Sequence, residues 1–158
     1  VNVGNVVLEA ERLIRSVLGP GVRFSVSVEE DLFVFGHHQQ LVNALLNLGL
    51  NANDAMPSGG RFTIRAFTEE VLEHRASADW MIPGQYVVVV AEDTGLGMDE
   101  STRRRAFEPF FTTKGERGTG MGLATVYGTV REHGGNIRVT SQEGVGTVFR
   151  IDIPAIDS

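Results

Sequence analysis

Three asparagines and an aspartate recur along one stretch of the chain at the spacing of a helical turn. They are Asn43, Asn47, Asn51 and Asp54. Asparagine is unfavourable inside a helix because its side chain competes for backbone hydrogen bonds. Carboxamide oxygens are hard, neutral ligands that suit Mg²⁺, which keeps several waters and binds few protein oxygens plus phosphates. A solvated polar face is the alternative, but such faces usually carry Glu, Lys, Gln or Arg, so we favour a ligand-binding stripe.

A second group of chemically useful residues follows an apolar run at residues 86–91. Asp93 opens the sequence Asp-Thr-Gly-Leu-Gly-Met, and open α/β sheets place ligand contacts at the carboxyl ends of their strands. A carboxylate there can accept a hydrogen bond from an exocyclic amine such as that of adenine. Gly95 and Gly97 would let the backbone approach a flat base closely. The alternative is a simple turn in which Asp93 is the cap.

Several other site classes do not fit these residues. Aspartic proteases share Asp-Thr-Gly but need two carboxylates that share a proton, and the tripeptide occurs only once. A dinucleotide fingerprint fails because Glu100 stands where its third glycine is required, and the chain has no Gly-Lys-Ser/Thr of a P-loop. Because the chain has no cysteine, disulfide frameworks, thiolate zinc sites and cysteine nucleophiles are excluded.

Glycine and positive charge concentrate in one part of the chain. Of 19 glycines in 158 residues, those at 95, 97, 115, 118, 120 and 122 fall close together. Between residues 103 and 117 basic side chains outnumber acidic ones, although the net charge is −6. Such a stretch suits an anionic ligand such as phosphate, and a flexible loop with solvated charges fits equally well. The overall acidity argues against nucleic-acid binding. Without an apolar run of membrane length, we expect a cytoplasmic domain that makes no direct membrane contact.

The elements that must position these residues alternate between helical and strand patterns. Apolar spacings of three and four predict helices over 5–18, 39–56 and 123–132. Alternation or short apolar runs predict strands over 22–28, 32–35, 61–67, 86–91, 136–141 and 147–153, with 68–82 polar and irregular. There are no repeats and no linker. We therefore predict one α/β domain, a two-layer sandwich of a mixed β-sheet with about three helices on one face.

Taken in chain order, these motifs resemble those of the ATP-binding catalytic domain of sensor histidine kinases. That domain belongs to the GHKL superfamily, with gyrase B and the ninety-kilodalton heat-shock chaperones. Five segments carry the resemblance: an N box at 47–56, a first glycine box at 93–98, an F box at 107–114, a second glycine box at 118–123 and a last one at 144–149. Each is weak alone, but five in order with family spacing are specific. The resemblance implies a Bergerat-type ATPase fold over residues 1–158.

The resemblance also implies residue roles. Asn51 would coordinate a Mg²⁺ ion that bridges the phosphates of ATP, with Asn47 beside it, and both would act catalytically with Lys114. Asp93 would bind the adenine amine, assisted by Thr147. The further nucleotide contacts that it implies are Asp54, Gly95, Gly97, Met98, Thr113, Lys114, Gly118, Thr119, Gly120, Met121, Gly122 and Leu123.

A mobile lid over the phosphates is implied as well. Lys114 and the backbone amides of 118–122 would hold the phosphates within this lid. Phe107, Phe110 and Phe111 would anchor it, although clustered aromatic residues are more often part of an ordinary core.

Three positions depart from patterns found in parts of the superfamily. Hydrolysing members carry a glutamate base four residues before the metal-binding asparagine. Here that position is Asn47, which cannot take a proton, so transfer is favoured over hydrolysis. Many histidine kinases have Lys or Arg where this chain has Asp54, which leaves more of the phosphate contact to Lys114. His37 replaces a common aspartate, and we expect it at the surface near a helix cap.

A sensor histidine kinase transfers the γ-phosphoryl group of ATP to a histidine on a separate dimerisation domain. None of His37, His38, His74 and His133 lies in that domain's motif. We therefore expect a fragment of a longer, homodimeric kinase of two-component signalling. Its partners would be its own dimerisation and phosphoacceptor domain and a response-regulator receiver domain, and the fragment alone would hydrolyse ATP slowly or not at all. Two alternatives stay open: an ATP-binding regulatory module that transfers nothing, and a stand-alone protein-serine kinase of the anti-sigma type.

Overall fold

The computed structural model describes residues 1–73, 81–109 and 122–157. Its helices are α1 (Val3–Val17), α2 (His38–Ala55), α3 (Glu100–Arg104) and α4 (Gly122–Glu132). Its strands are β1 (Val22–Val28), β2 (Gly60–Val71), β3 (Gly84–Asp93), β4 (Asn136–Gln142) and β5 (Gly146–Pro154). No helix within these ranges is both long and apolar enough to cross a membrane.

The strands of the described residues form one mixed sheet in the order β1-β2-β3-β5-β4. The outer pair β1 and β2 is parallel, and the other neighbours are antiparallel. Side chains alternate between the two faces of a sheet, so β3 sends Val87, Val89 and Ala91 into the core. The same core takes residues such as Ile14, Leu48 and Val126 from α1, α2 and α4. The prediction of a two-layer α/β sandwich with three helices on one face is confirmed.

The opposite face of the sheet includes a network of charged side chains. On β5, the Arg150 guanidinium forms ion pairs with Glu69 on β2 and with Asp152. Asp152 is fully buried although it belongs to this face.

Two sequence predictions about strands need correction. The predicted strand at 32–35 is not formed, because Phe33 bridges Asn2 whereas Val34 bridges Ala155, so successive residues have different partners and no ladder grows. The stretch from 68 to 71, predicted to be irregular, continues β2 and pairs with β3 as far as Val71 opposite Gly84. Val71 is buried against Tyr86, a long-range contact that local polarity does not reveal.

Two helical glycines provide a matched test of the packing. A Cβ at Gly49 in α2 would lie 2.7 Å from Ile14 Cγ1 of α1, whereas a Cβ at Gly128 in α4 meets nothing within 4 Å. We expect Gly49→Ala to destabilise the fold by about 1–3 kcal/mol through overpacking. Gly128→Ala should stabilise it by about 0.5–1 kcal/mol because alanine favours the helix. Urea denaturation measures both, and shifts in the same direction would contradict the helix contact.

Candidate functional site

Asp93 is the last residue of β3 and is buried, with only 4% of its surface exposed. It lies between Phe62 of β2 and Thr147 of β5 in the sheet register. Its Oδ1 accepts a hydrogen bond from the Gly95 backbone N–H at 2.9 Å. Burial raises the pKa of the Asp93 carboxyl, and hydrogen bonds from the backbone N–H groups of Gly95 and Thr147 partly offset that rise. The site therefore has a desolvated acidic group that is held in place by backbone donors.

The loop after Asp93 rests against the end of α2. The Leu96 backbone N–H donates to the carbonyl oxygen of Ala55 at 2.8 Å, and a Cβ at Gly95 would lie 2.4 Å from that oxygen. Glycine is thus required at 95 by contact with α2. Asn51 and Asn47 precede Ala55 by one and two steps of four residues, and residues so spaced share a helix side. The asparagine stripe therefore runs along α2 from the place where the Asp93 loop packs.

The asparagines of α2 differ in their hydrogen bonding. Asn43 Oδ1 accepts from Gln39 at 3.0 Å, and Asn53 Oδ1 accepts from the Gly19 backbone N–H at 2.8 Å. Asn47 and Asn51 are half-buried, and no hydrogen bond within the described ranges engages either of their side chains. Two half-buried carboxamides that no described residue engages by a hydrogen bond fit a ligand-binding role.

The donor set on α2 also fits Mg²⁺. The described residues contain no group of three His, Asp or Glu side chains that could hold a metal by themselves. Mg²⁺ needs no such group, because it is commonly bound through one or two protein oxygens together with phosphates and water. Asn51 can supply such an oxygen. Asp54, one turn further along α2, is exposed.

The turn between β4 and β5 packs against the loop that follows Asp93. The Gly144 backbone N–H donates to the Leu96 carbonyl oxygen at 2.8 Å. Gly97 has φ +71, and its Cβ position would lie 2.1 Å from the Gln142 carbonyl oxygen. The first and last glycine boxes are therefore joined by backbone contacts. From sequence alone, the close approach of a base explains Gly95 and Gly97. The structure gives a separate reason, because contacts within the protein already require glycine at both positions.

The two predicted apolar neighbours of the nucleotide, Met98 and Leu123, lie at the edge of the core, as does Phe107, which was predicted to anchor the lid. Met98, Leu123 and Phe107 are half-buried and pack against the main hydrophobic cluster. The Phe107 ring centroid lies 5.5 Å from that of Tyr127 on α4 and 6.2 Å from that of Phe149 on β5. Phe107 thus joins α4 to the sheet. Gly122, the first residue of α4, is exposed.

Part of the predicted site lies outside the described residues. These positions are Phe110, Phe111, Thr113, Lys114, Gly118, Thr119, Gly120 and Met121. Their roles stay predictions.

The basic stretch before them is paired within itself. Arg103 and Arg104 both form ion pairs with Glu100 on α3, and Arg105 pairs with Glu108 at 2.8 Å. Hydrogen bonding by Arg103, with a smaller effect of Arg104, lowers the pKa of Glu100 to about 2. These arginines are matched to glutamates, which weakens the inference of a phosphate site from their charge.

Sequence reasoning missed two residues that organise the site and its surroundings. Ser141 on β4 makes hydrogen bonds to the first and the last glycine box, but a serine within a strand gives no sequence signal for such a role. His133 is buried at the end of α4, and its Nε2 accepts a hydrogen bond from the His37 backbone N–H at 3.1 Å. His37 is the N-cap residue of α2, as expected from sequence, but its side chain makes no cap hydrogen bond. His133 therefore ties α4 to the start of α2.

Comparison with known proteins places the fold among catalytic domains of histidine kinases. The mycobacterial sensor histidine kinase MprB superposes with a TM-score of 0.78 and 28% identity, covering 100% of this chain and 99% of that one. The catalytic domain of histidine kinase ThkA gives a TM-score of 0.73 and 28% identity, covering 98% of this chain and 93% of that one. Residues 36–157 match the family described as histidine kinase-, DNA gyrase B- and HSP90-like ATPase. The chain belongs to that family.

Curated relatives agree with this assignment. Sensor kinase CckA of Brucella abortus (strain 2308) is 34% identical over 163 residues, which cover 99% of this chain and 17% of the relative. Sporulation kinase E of Bacillus subtilis (strain 168) is 38% identical over 123 residues, covering 77% of this chain and 14% of the relative. The chain thus spans less than a fifth of the length of either of these two relatives.

Proposed function

We propose that this chain binds Mg²⁺-ATP and donates its γ-phosphoryl group to a histidine on a separate dimerisation domain. The observation that carries the proposal is the buried Asp93 carboxyl, which opens the first glycine box in a loop that packs against the end of α2 and against the turn of the last glycine box. Base recognition, phosphate binding and transfer each follow from a different part of this arrangement.

The base-binding end selects adenine through Asp93. The backbone N–H groups of Gly95 and Thr147 hold the carboxyl group, and its remaining acceptor capacity is available to the exocyclic amine of adenine. Guanine carries a carbonyl at the same ring position, which would place an acceptor against an acceptor in a desolvated site. A polar group left unpaired in such a place is strongly unfavourable, so guanine nucleotides are rejected.

The phosphate end is formed by α2. Asn51 would hold Mg²⁺, with Asn47 one turn away on the same helix side. The ion, when bound, supplies positive charge that offsets the charge of the phosphates. Lys114 and the lid amides of 118–122 complete phosphate binding in this proposal.

The chemistry is transfer and not rapid hydrolysis. A nitrogen of the acceptor imidazole attacks the γ-phosphorus, the bond from that phosphorus to the bridging oxygen breaks, and ADP leaves with the electron pair. Asn47 stands where hydrolysing relatives have a glutamate base, and a carboxamide cannot take a proton from water. The imidazole is itself the nucleophile, so the reaction needs no such base.

The chain acts as the catalytic part of a longer protein. Its short coverage of CckA and sporulation kinase E, 17% and 14% of their lengths, supports a multidomain parent kinase. In this proposal the parent is a homodimer, as the resemblance to sensor histidine kinases implies. Its partners are the parent's own phosphoacceptor domain and a response-regulator receiver domain, and it works in the cytoplasm. The isolated chain turns over ATP slowly or not at all, and rapid turnover would contradict this organisation.

Calorimetric titration with ADP and GDP, each with and without Mg²⁺, tests the proposed function. We expect ADP to bind at least about tenfold more tightly than GDP, as one charged hydrogen bond predicts. Mg²⁺ should strengthen ADP binding further. Equal affinity for the two nucleotides would contradict base selection by Asp93, and no binding of either would refute the proposal as a whole.

A further inference from the structure

We infer that Ser141 is a positioning residue of the base-binding end, acting through the hydroxyl of Thr147 and the backbone amide of Met98. The inference rests on the proposed function, because it concerns how the adenine site is assembled. It assigns a role to a side chain that belongs to none of the five motifs.

Ser141 lies directly opposite Thr147 in the antiparallel pairing of β4 with β5. Its Oγ accepts a hydrogen bond from the Met98 backbone N–H at 2.7 Å. The same Oγ lies 2.8 Å from Thr147 Oγ1 and 3.1 Å from the Gly146 carbonyl oxygen. One half-buried hydroxyl therefore joins the loop that follows Asp93 to the strand that carries Thr147.

The direction of the hydrogen bond between the Ser141 and Thr147 hydroxyls decides which hydrogen-bonding group Thr147 can offer to a ligand. A serine hydroxyl has one proton and two lone pairs, and Met98 occupies one lone pair. If the proton goes to the Gly146 carbonyl, Thr147 donates to Ser141 and offers a ligand only lone pairs. If the proton goes to Thr147 Oγ1, the Thr147 proton is free for an acceptor nitrogen such as those of the adenine ring. Ser141 thereby sets whether Thr147 donates or accepts.

The distances and the chemistry of adenine both favour the arrangement in which Ser141 donates its proton to Thr147 Oγ1. The 2.8 Å separation between the hydroxyl oxygens is the commonest O–H···O distance, and 3.1 Å is beyond the usual range. Without the Ser141 oxygen, the Thr147 hydroxyl would rotate freely and the Met98 amide would lose its acceptor. Both losses reduce preorganisation of the site before the base arrives.

Calorimetric titration with ADP of Ser141→Ala, Thr147→Val and the double variant tests the role. We expect Ser141→Ala to weaken ADP binding about 5- to 15-fold, as the loss of one to two hydrogen bonds predicts. Ser141→Thr, which keeps the hydroxyl, should bind within about twofold of the unaltered protein, since the hydrogen-bond inventory is the same. The loss in the double variant should be at least about threefold smaller than the product of the single losses, because the residues act as one unit.

Thr140→Ala is the matched control, because Thr140 is the exposed neighbour on β4 and pairs with Val148. Its ADP affinity should not change. If Ser141→Ala does not fold, Ser141→Cys replaces it, since a thiol of similar size is only a weak hydrogen-bonding group. The role of Ser141 would be overturned if Ser141→Ala, or Ser141→Cys in its place, bound ADP with unchanged affinity. It would also be overturned if the loss of affinity in the double variant equalled the product of the two single losses. Failure of the unaltered protein to bind ADP would instead overturn the proposed function.

Discussion

Replacing Asn51 by alanine is expected to abolish most of the effect of Mg²⁺ on ADP binding and to leave metal-free affinity nearly unchanged. Loss of groups that merely support a metal ligand weakens metal binding about 10- to 100-fold, so removal of the ligand should weaken it at least as much. The base contacts proposed for Asp93 do not involve α2 side chains, and metal-free binding should therefore persist. Titrations with ADP over a range of Mg²⁺ concentrations measure both quantities.

The asparagine stripe supplies its own control. Asn43→Ala alters the same helix, but its carboxamide is bonded to Gln39 at an exposed position, and it should leave the Mg²⁺ effect intact. Alanine favours a helix interior by up to about 0.7 kcal/mol over asparagine, so neither variant should lose stability. A loss of the Mg²⁺ effect in both variants, or in neither, would contradict the assignment of Asn51.

The parts of the site that sequence predicts well are those set by local spacing. The stripe on α2 depends on helical periodicity alone, and Asp93 is marked by its position after a buried apolar run. Both are local patterns, so their prediction does not depend on contacts with distant parts of the chain. Most element types follow from the same patterns, with the ends of α1 and α2 displaced by one or two residues, whereas the short helix α3 (Glu100–Arg104) is not predicted from the sequence.

The parts that sequence predicts poorly depend on contacts between distant segments. Residues 32–35 pattern as a strand, but their bridges go to residue 2 and residue 155, which no local rule anticipates. The reason for glycine at 97 is the carbonyl of Gln142 on a different hairpin. The role of Ser141 needs both the β4–β5 register and the approach of Met98. Such requirements arise only in the folded protein, where segments that are distant in sequence come into contact.

Replacing Asp93 by asparagine is expected to weaken ADP binding by about 1–3 kcal/mol, roughly 5- to 150-fold, through loss of the charged acceptor. The loss should be the same with and without Mg²⁺, unlike that of Asn51→Ala. GDP binding should fall less than ADP binding, because an asparagine amide can donate to the guanine carbonyl. Calorimetry with both nucleotides gives the ratio, and an unchanged preference for ADP would refute base reading by Asp93.

The same variant has a distinct signature in stability. Burial raises the pKa of Asp93 above its ordinary value of 3.8, so the folded protein holds this proton more tightly than the unfolded chain. The contribution of protonated Asp93 to the stability of the fold is therefore fully present below the unfolded pKa and is lost as pH rises through the folded pKa. The free energy of unfolding of the unaltered protein, minus that of Asp93→Asn, should therefore fall as the pH rises from the unfolded pKa to the folded pKa of Asp93. Glu92→Gln removes the adjacent exposed carboxylate, whose charge adds a smaller part to the rise in the pKa of Asp93. Because burial is the larger cause, the free energy of unfolding of Glu92→Gln, minus that of the double variant with Asp93→Asn, should still fall with pH, although less steeply. A difference that rises with pH would mean that Asp93 is stabilised as a carboxylate, and its desolvation would then not be what shapes the site.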